Sequence, residues 1–254
     1  MKIYIMSPKK HKIRRESMVS SLEQTGFEFE FMSINDDLEL TPEAILKNHN
    51  TQKTRDTFGR EFSRGEIAST LNHLLAYKKI IESRDDTAII LEDDMSFNGK
   101  EFYRIVSLAS KLVNTSQPQV CLLTPVISYL KHNAIKITNK HKIVSVVQAW
   151  DAGYIINQSA AKKMVEINKE SWILADDWVK YKRYADINVL SVIPPIAKQD
   201  TRFDSNLLTD RKKSNRNNKT FKYIISRNKY KIMADLKKFF YLYPFRGYIR
   251  NKNV

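Results

Sequence analysis

The run Thr87-Ala88-Ile89-Ile90-Leu91 passes without a break into Glu92-Asp93-Asp94. Four consecutive apolar residues at strand length leave no face for water, so the spacing predicts a strand inside a sheet covered on both sides. The end of that strand is the opposite of its middle. Three adjacent carboxylates repel one another and are costly near an apolar interior unless a cation is close. In open α/β sheets, ligands sit outside the carboxyl ends of the strands. Side chains alternate along a strand, which predicts Glu92 and Asp94 on one face and Asp93 on the other. Two oxygen donors on one face suit Mg²⁺ or Mn²⁺ bridged to a diphosphate. The plainer alternative, an acidic turn ending a strand in water, stays open at this point.

Strand and helix signals alternate on either side of this run. Lys2 to Ser7 reads as a strand, Ile13 to Gln24 as a helix stopped at Gly26, and Phe27 to Ile34 as a strand with period-two aromatics. Residues 36–62 are polar and read as an irregular excursion, and Gly65 to Glu82 as a helix. Further strands are predicted at Val120–Leu123, Ile143–Val147, Gly153–Ile156 and Val189–Ile193. Helices are predicted at Phe102–Val113 and at Ser159–Ile167, the latter capped by Ser159. This order argues for an α/β fold with a mainly parallel, Rossmann-like sheet flanked by helices. Residues 1–208 form the single domain, and the polar stretch 209–220 opens a basic appendage, 209–254.

Composition narrows the chemistry. The chain has 254 residues, 42% hydrophobic and 28% charged, enough to bury a core. None of its six glycines falls into G-x-G-x-x-G or G-x-x-x-x-G-K, which excludes both glycine-rich phosphate cradles. One cysteine, Cys121, excludes an intrachain disulfide and a multi-cysteine zinc site, and the five histidines include no H-x-x-x-H. Any metal must therefore be held by carboxylates. The N-terminal apolar run is too short for a signal peptide, and no stretch reaches the roughly 18–20 apolar residues of a membrane span, so the expectation is a cytoplasmic protein.

Two further places carry candidate chemistry. Asp176-Asp177 follows the apolar Trp172-Ile173-Leu174, and either a helix cap or a general base fits that position. Arg64-Gly65-Glu66-Ile67 opens a helix that leads to Asn72-His73, where a lone histidine is more often packed than catalytic.

Together these pieces resemble glycosyltransferase family 25, the bacterial lipooligosaccharide-type transferases and their collagen galactosyltransferase relatives. The similarity runs from Lys2 to about Gln199. It is carried by the helix Gly65 to His73 and, about 20 residues on, the strand end Leu91-Glu92-Asp93-Asp94. Arg14-Arg15 after the first strand, the Trp150 to Ile156 strand and Asp176-Asp177 support it. Departures are Ser7-Pro8 in place of the family's Asn-Leu, Ser69 in place of its Cys, and Asn72 in place of the Ser before its His. The resemblance implies a GT-A fold and an inverting, metal-dependent transfer of a hexose from a UDP-sugar to a lipooligosaccharide or LPS-type glycan. Galactose is the first expectation; glucosyl or N-acetylhexosaminyl transfer is the alternative. It implies Asp94 and Glu92 as ligands of Mn²⁺ or Mg²⁺, with Asp93 or Glu92 near the ribose. Asp177 would be the base that deprotonates the acceptor, with Asp176 second. Arg14, Glu66 and His73 would organise the donor pocket. No histidine follows His141, so Gln199, Asp200 or water would take the place of a late metal ligand.

The charge is uneven. Of the net +15, residues 211–254 carry +13, from 14 Lys/Arg against Asp235. Ile232, Leu236, Phe239, Phe240 and Tyr243 fall within one helical stripe, with Lys231, Lys237 and Lys238 around it. Such a stripe suits either an anionic membrane surface, here the cytoplasmic face of the inner membrane, or packing on the body. A catalytically inert nucleic-acid- or membrane-binding protein is the rival from another class. It leaves the acidic sites without a role, so no nucleic acid is expected as partner.

Overall fold

The computed structural model describes residues 1–32, 40–83, 85–150, 153–200, 202 and 221–251. The predicted linker 209–220 lies outside the described residues.

The central strand is β3 (Thr87–Glu92). It lies between β1 (Ile3–Met6), parallel to it, and β8 (Tyr154–Asn157), antiparallel. β2 (Phe29–Met32) pairs parallel with β1 and closes that edge. On the other side β8 leads to β5 (Gln119–Leu122), β9 (Asn188–Ile193), β7 (Lys142–Gln148), β6 (Ser128–Lys136) and β11 (Tyr248–Arg250), making nine strands. A separate two-stranded ribbon joins β4 (Met95–Phe97) to β10 (Ala197–Gln199). Six of the nine strands run in one direction, as the strand–helix alternation predicts. Only three of the eight neighbouring pairs are parallel, however, because β8, β7 and β11 enter antiparallel.

Alternation along the inner strands divides the core into two layers. Ala88 and Ile90 of β3, Val120 and Leu122 of β5, and Tyr154 and Ile156 of β8 face one side. There they meet α4 (Arg64–Glu82), α6 (Gln158–Ile167) and α7 (Trp178–Tyr184). Ile89, Leu91, Cys121 and Ile155 face the other side, under α1 (Lys12–Glu23) and α5 (Gly99–Val113). Helices on both faces are what an uninterrupted apolar strand requires.

Several local departures from the sequence reading have plain causes. Residues 36–62 were expected to be irregular, but Pro42–Asn48 (α2) and Thr51–Phe58 (α3) are helices, capped by Thr41 and Asn50. They are only seven and eight residues long, and the few apolar side chains they carry, Ala44, Ile45 and Leu46 in α2 and Phe58 in α3, are too few to announce a stripe. The cap of α6 is Asn157, whose side chain accepts from the Ala160 N–H, rather than Ser159. Gly153 needs to be glycine, since a Cβ there would stand 2.8 Å from Thr124 Cγ2 and near Met95 and Leu91.

The predicted appendage is tied to the body. β11 extends the sheet alongside β6, and Tyr223 on α8 (Phe221–Lys237) lies against Gly59, at the end of α3.

Candidate active site

The carboxyl end of β3 and the turn that follows bring together the end of β1, the first turn of α1 and strand β10. Asp93 is buried and fully engaged. It accepts from Ser7 Oγ at 2.8 Å and from Arg14 Nη1 at 3.2 Å, and His11 Nδ1 lies 2.9 Å away. Asp94 is also buried. Its Oδ2 accepts from the Gln199 side-chain amide at 2.8 Å and lies 3.8 Å from Arg14, and its carbonyl accepts the Asp200 N–H at 2.6 Å. Asp94 Oδ1 is buried with no hydrogen-bond partner among the described residues.

The one-face expectation for Glu92 and Asp94 does not hold. β3 ends at Glu92, Asp93 and Asp94 form the turn into β4, and alternation stops where the strand does. Arg14 reaches Asp93 and Asp94, whereas Glu92 belongs to a different wall. Glu92 lines an open cleft with Glu66, Ser69 and Thr70 of α4 and with Leu174, Ala175 and Asp176. Three acidic residues, Glu66, Glu92 and Asp176, thus line one cleft at the strand end of β3.

Asp176 and Asp177 have unequal places. Asp177 is wholly buried at the N-cap of α7, where Oδ1 accepts the Lys180 N–H at 3.1 Å and Oδ2 pairs with Lys180 Nζ at 2.7 Å. Asp176 is half-buried and lines the cleft. The sequence ranks Asp177 first, but the cap and Lys180 occupy both its oxygens, and Asp176 is the one of the two that lines the cleft. Trp150, 44% exposed, is bridged through its backbone to Asp177.

Glu66 and His73, expected to organise the donor pocket, lie on α4, and of the two only Glu66 lines the cleft. Ser63 and Glu66 form a capping box at the start of α4, and Arg60 grips both Glu66 oxygens at 2.7 and 2.6 Å. Ser63-x-x-Glu66 is legible as a capping box in the sequence, but Arg60 carries no signal of its own. His73 lies about two turns further along α4, its Nδ1 3.0 Å from Tyr154 Oη, which in turn lies 2.6 Å from Tyr77 Oη. Burial lowers the His73 pKa to about 4, so the ring is neutral at pH 7. Its Nε2 has no partner among the described residues. It supports the floor of the site and is not part of the cleft lining. Ser7, His11 and Gln199 were missed as partners of the acidic turn, or given another role, because they lie 82 to 105 residues from it in sequence.

Asp94 fits a hard cation. Among the described residues no three His, Cys, Asp or Glu side chains gather as a metal cage. Burial nevertheless raises the Asp94 carboxyl above its usual pKa, against the opposite pull of Gln199 and Arg14. A desolvated carboxylate oxygen with nothing to bond is what Mg²⁺ or Mn²⁺ would satisfy, the other ligands coming from phosphates and water. Of the two residues considered for a late ligand, Gln199 turns its amide nitrogen to Asp94, an O/N assignment made from the hydrogen-bond network. The Asp200 carboxylate is taken by Arg202.

The family described as "Glycosyltransferase family 25 (LPS biosynthesis protein)" matches residues 1–179, which include every carboxylate of the site. The chain belongs to glycosyltransferase family 25. Among curated relatives of this family-25 chain, human procollagen galactosyltransferase 2 is 26% identical over 178 residues, 65% of this chain and 27% of the relative. The mouse protein of the same name is 25% identical over 175 residues, 64% of this chain and 27% of the relative. The chain thus spans about a quarter of the length of the relatives it matches. Among solved structures, galactosyltransferase LgtC in complex with donor and acceptor sugar analogs is 11% identical, at TM-score 0.33 over 74% of this chain and 73% of that one. The inositol-1-phosphate CTP transferase from T. maritima is 11% identical, at TM-score 0.37 over 85% and 96%. Both scores fall short of what a common fold requires.

Proposed function

We propose that this chain is an inverting glycosyltransferase of GT-A type. It would move a hexose, galactose first, from a UDP-sugar to a hydroxyl of a lipooligosaccharide or LPS-type glycan. The single observation that carries the reading is the cleft shared by Glu92, Glu66 and Asp176, lying in the family-matched stretch beside the unbonded Asp94 Oδ1. The procollagen galactosyltransferase relatives favour galactose.

The residues divide the work by position. Asp176 is the base: it lines the cleft and accepts the acceptor proton as the hydroxyl attacks. Asp94 would hold Mn²⁺ or Mg²⁺, whose chemistry there would be to offset the negative charge of the diphosphate. Arg14, bonded to Asp93 and near Asp94, fixes the acidic turn and keeps a positive charge beside it. Glu92 orients donor hydroxyls from the cleft wall. Trp150 offers an exposed ring for the apolar face of the acceptor sugar. The acceptor is a glycolipid in an anionic membrane surface, reached from the cytoplasmic face of the inner membrane. Among the described residues no helix is long and apolar enough to cross a membrane.

The test is calorimetric titration of UDP with Mn²⁺ and again with EDTA, followed by a panel of UDP-sugars with a truncated lipooligosaccharide acceptor. Metal-dependent UDP binding that Asp94→Asn abolishes supports the reading, and absence of binding in both buffers defeats it.

A further inference from the structure

The C-terminal helix presents two faces of different character. Tyr223, Tyr230 and Lys237 recur every seven residues and meet the body. Tyr223 lies on Gly59, Arg183 stacks over Tyr230, and Lys237 is close enough to Lys182 to help lower its pKa. Beyond α8, a π-helical segment (Lys238–Leu242) leads into α9 (Tyr243–Arg246), and Leu242 is buried. The stripe read from the sequence lies elsewhere on the helix: Ile232, Leu236, Phe239, Phe240 and Tyr243 are exposed, Phe239 at 71% and Ile232 at 60%, and the exposed Ile225 extends it. Packing on the body, the alternative left open by the sequence, is not what these side chains do. The adjacent Phe240, 65% exposed, stands edge-on to Phe239 at 5.1 Å between ring centroids.

A contiguous exposed apolar face of this kind marks an interaction surface. Charge selects its occupant. Residues 221–251 carry eight Lys/Arg against Asp235 alone, with Lys229, Lys231 and Lys238 bordering the stripe. A second copy would bring the same positive charge against itself. An anionic lipid surface matches both properties, the rings and aliphatic chains entering the headgroup boundary and the lysines meeting lipid phosphates.

We propose that the outward face of α8 and α9 docks this enzyme in the plane of an anionic membrane, with the Tyr223–Tyr230–Lys237 face fixing the helix to the catalytic body. The inference shares the lipid surface with the function proposed above but none of its sugar chemistry, so either can fail alone.

The experiment is co-sedimentation of the full chain with vesicles of phosphatidylcholine alone and of phosphatidylcholine with phosphatidylglycerol, without nucleotide. Binding to the anionic vesicles, weakened by salt, is expected. Phe239→Ser with Phe240→Ser should weaken it by about tenfold or more, while UDP affinity and the melting midpoint stay unchanged because both rings are exposed. A second variant, Lys231→Gln with Lys238→Gln, should weaken anionic binding without touching the apolar stripe. Equal binding to both vesicle types overturns the proposal. So does absence of vesicle binding together with a concentration-dependent dimer, or with RNA binding, that the double serine variant abolishes.

Discussion

The two acidic stretches of the site, Asp93-Asp94 and Asp176-Asp177, look alike in sequence and are built alike in space. In each, one carboxylate serves the scaffold and its neighbour is the one to which we assign a role at the proposed site. Asp93 ties down Ser7, His11 and Arg14 across more than 75 residues of chain, and Asp177 caps α7 and pairs with Lys180. Asp94 keeps an unbonded oxygen, and Asp176 opens onto the cleft. Adjacent like charges are tolerable in this arrangement because one of each pair is held by donors that also compensate it. The comparison teaches that a run of carboxylates is a site together with its anchor.

The sharpest way to break the comparison is to neutralise both members of one stretch in turn. Asp176→Asn should lower turnover by about 10²–10⁴-fold, with stability changed by no more than about 0.5 kcal/mol. Asp177→Ala should do the reverse in kind, costing about 2–4 kcal/mol through the lost cap and the stranded Lys180. Urea melts beside initial rates would show it, and a stable but inactive Asp177 variant would reverse the assignment.

His73 extends the contrast, since its Nε2 is another buried atom without a partner among the described residues. Its folded pKa of about 4 lies below the usual histidine value of 6.5. The neutral ring therefore contributes stability that is present above about pH 6.5 and lost as pH falls toward 4. The full loss is on the order of 3 kcal/mol. Replacing it with glutamine should flatten that part of the stability–pH curve, and an unchanged slope would place the acid sensitivity elsewhere.

A smaller effect is expected at the first stretch. Asp93→Asn should cost about 1–3 kcal/mol, because the donors of Ser7 and Arg14 lose a charged acceptor. Asp94→Asn should instead keep or raise the melting midpoint at neutral pH. The Asp94 pKa is raised by burial, so its favourable protonated form is lost as pH rises through that pKa, and the carboxylate is a burden that asparagine removes. The same variant should lose metal-dependent UDP binding. A fall in midpoint as large as that of Asp93→Asn would erase the distinction between the two.

Much of this was legible in the chain. β3 announces itself by apolar length, α4 by periodicity, and the capping box of α4 by Ser63 and Glu66. β6 did not, because as the next-to-edge strand it carries Lys131, His132, Asn133 and Lys136 in a largely exposed run with no alternation to read. The division of labour within each acidic stretch was illegible for another reason. It depends on partners such as Ser7, His11 and Gln199, which only the sheet topology brings near. Lys180, three residues from Asp177, was within reach of a helix-cap argument, which named an aspartate as cap without choosing which one.

The pairing of β11 with β6 has a practical consequence. Tyr248, Ile249 and Arg250 cover Leu130, Tyr129 and Ser128, so this short strand shields the start of an otherwise open sheet border. Removing the greasy C-terminal helix to improve handling would also strip that cover. Bare backbone donors and acceptors would then be offered to neighbouring molecules. Truncation after residue 220 would exchange one sticky surface for another, whereas polar substitutions on the outward helix face would leave the border sealed.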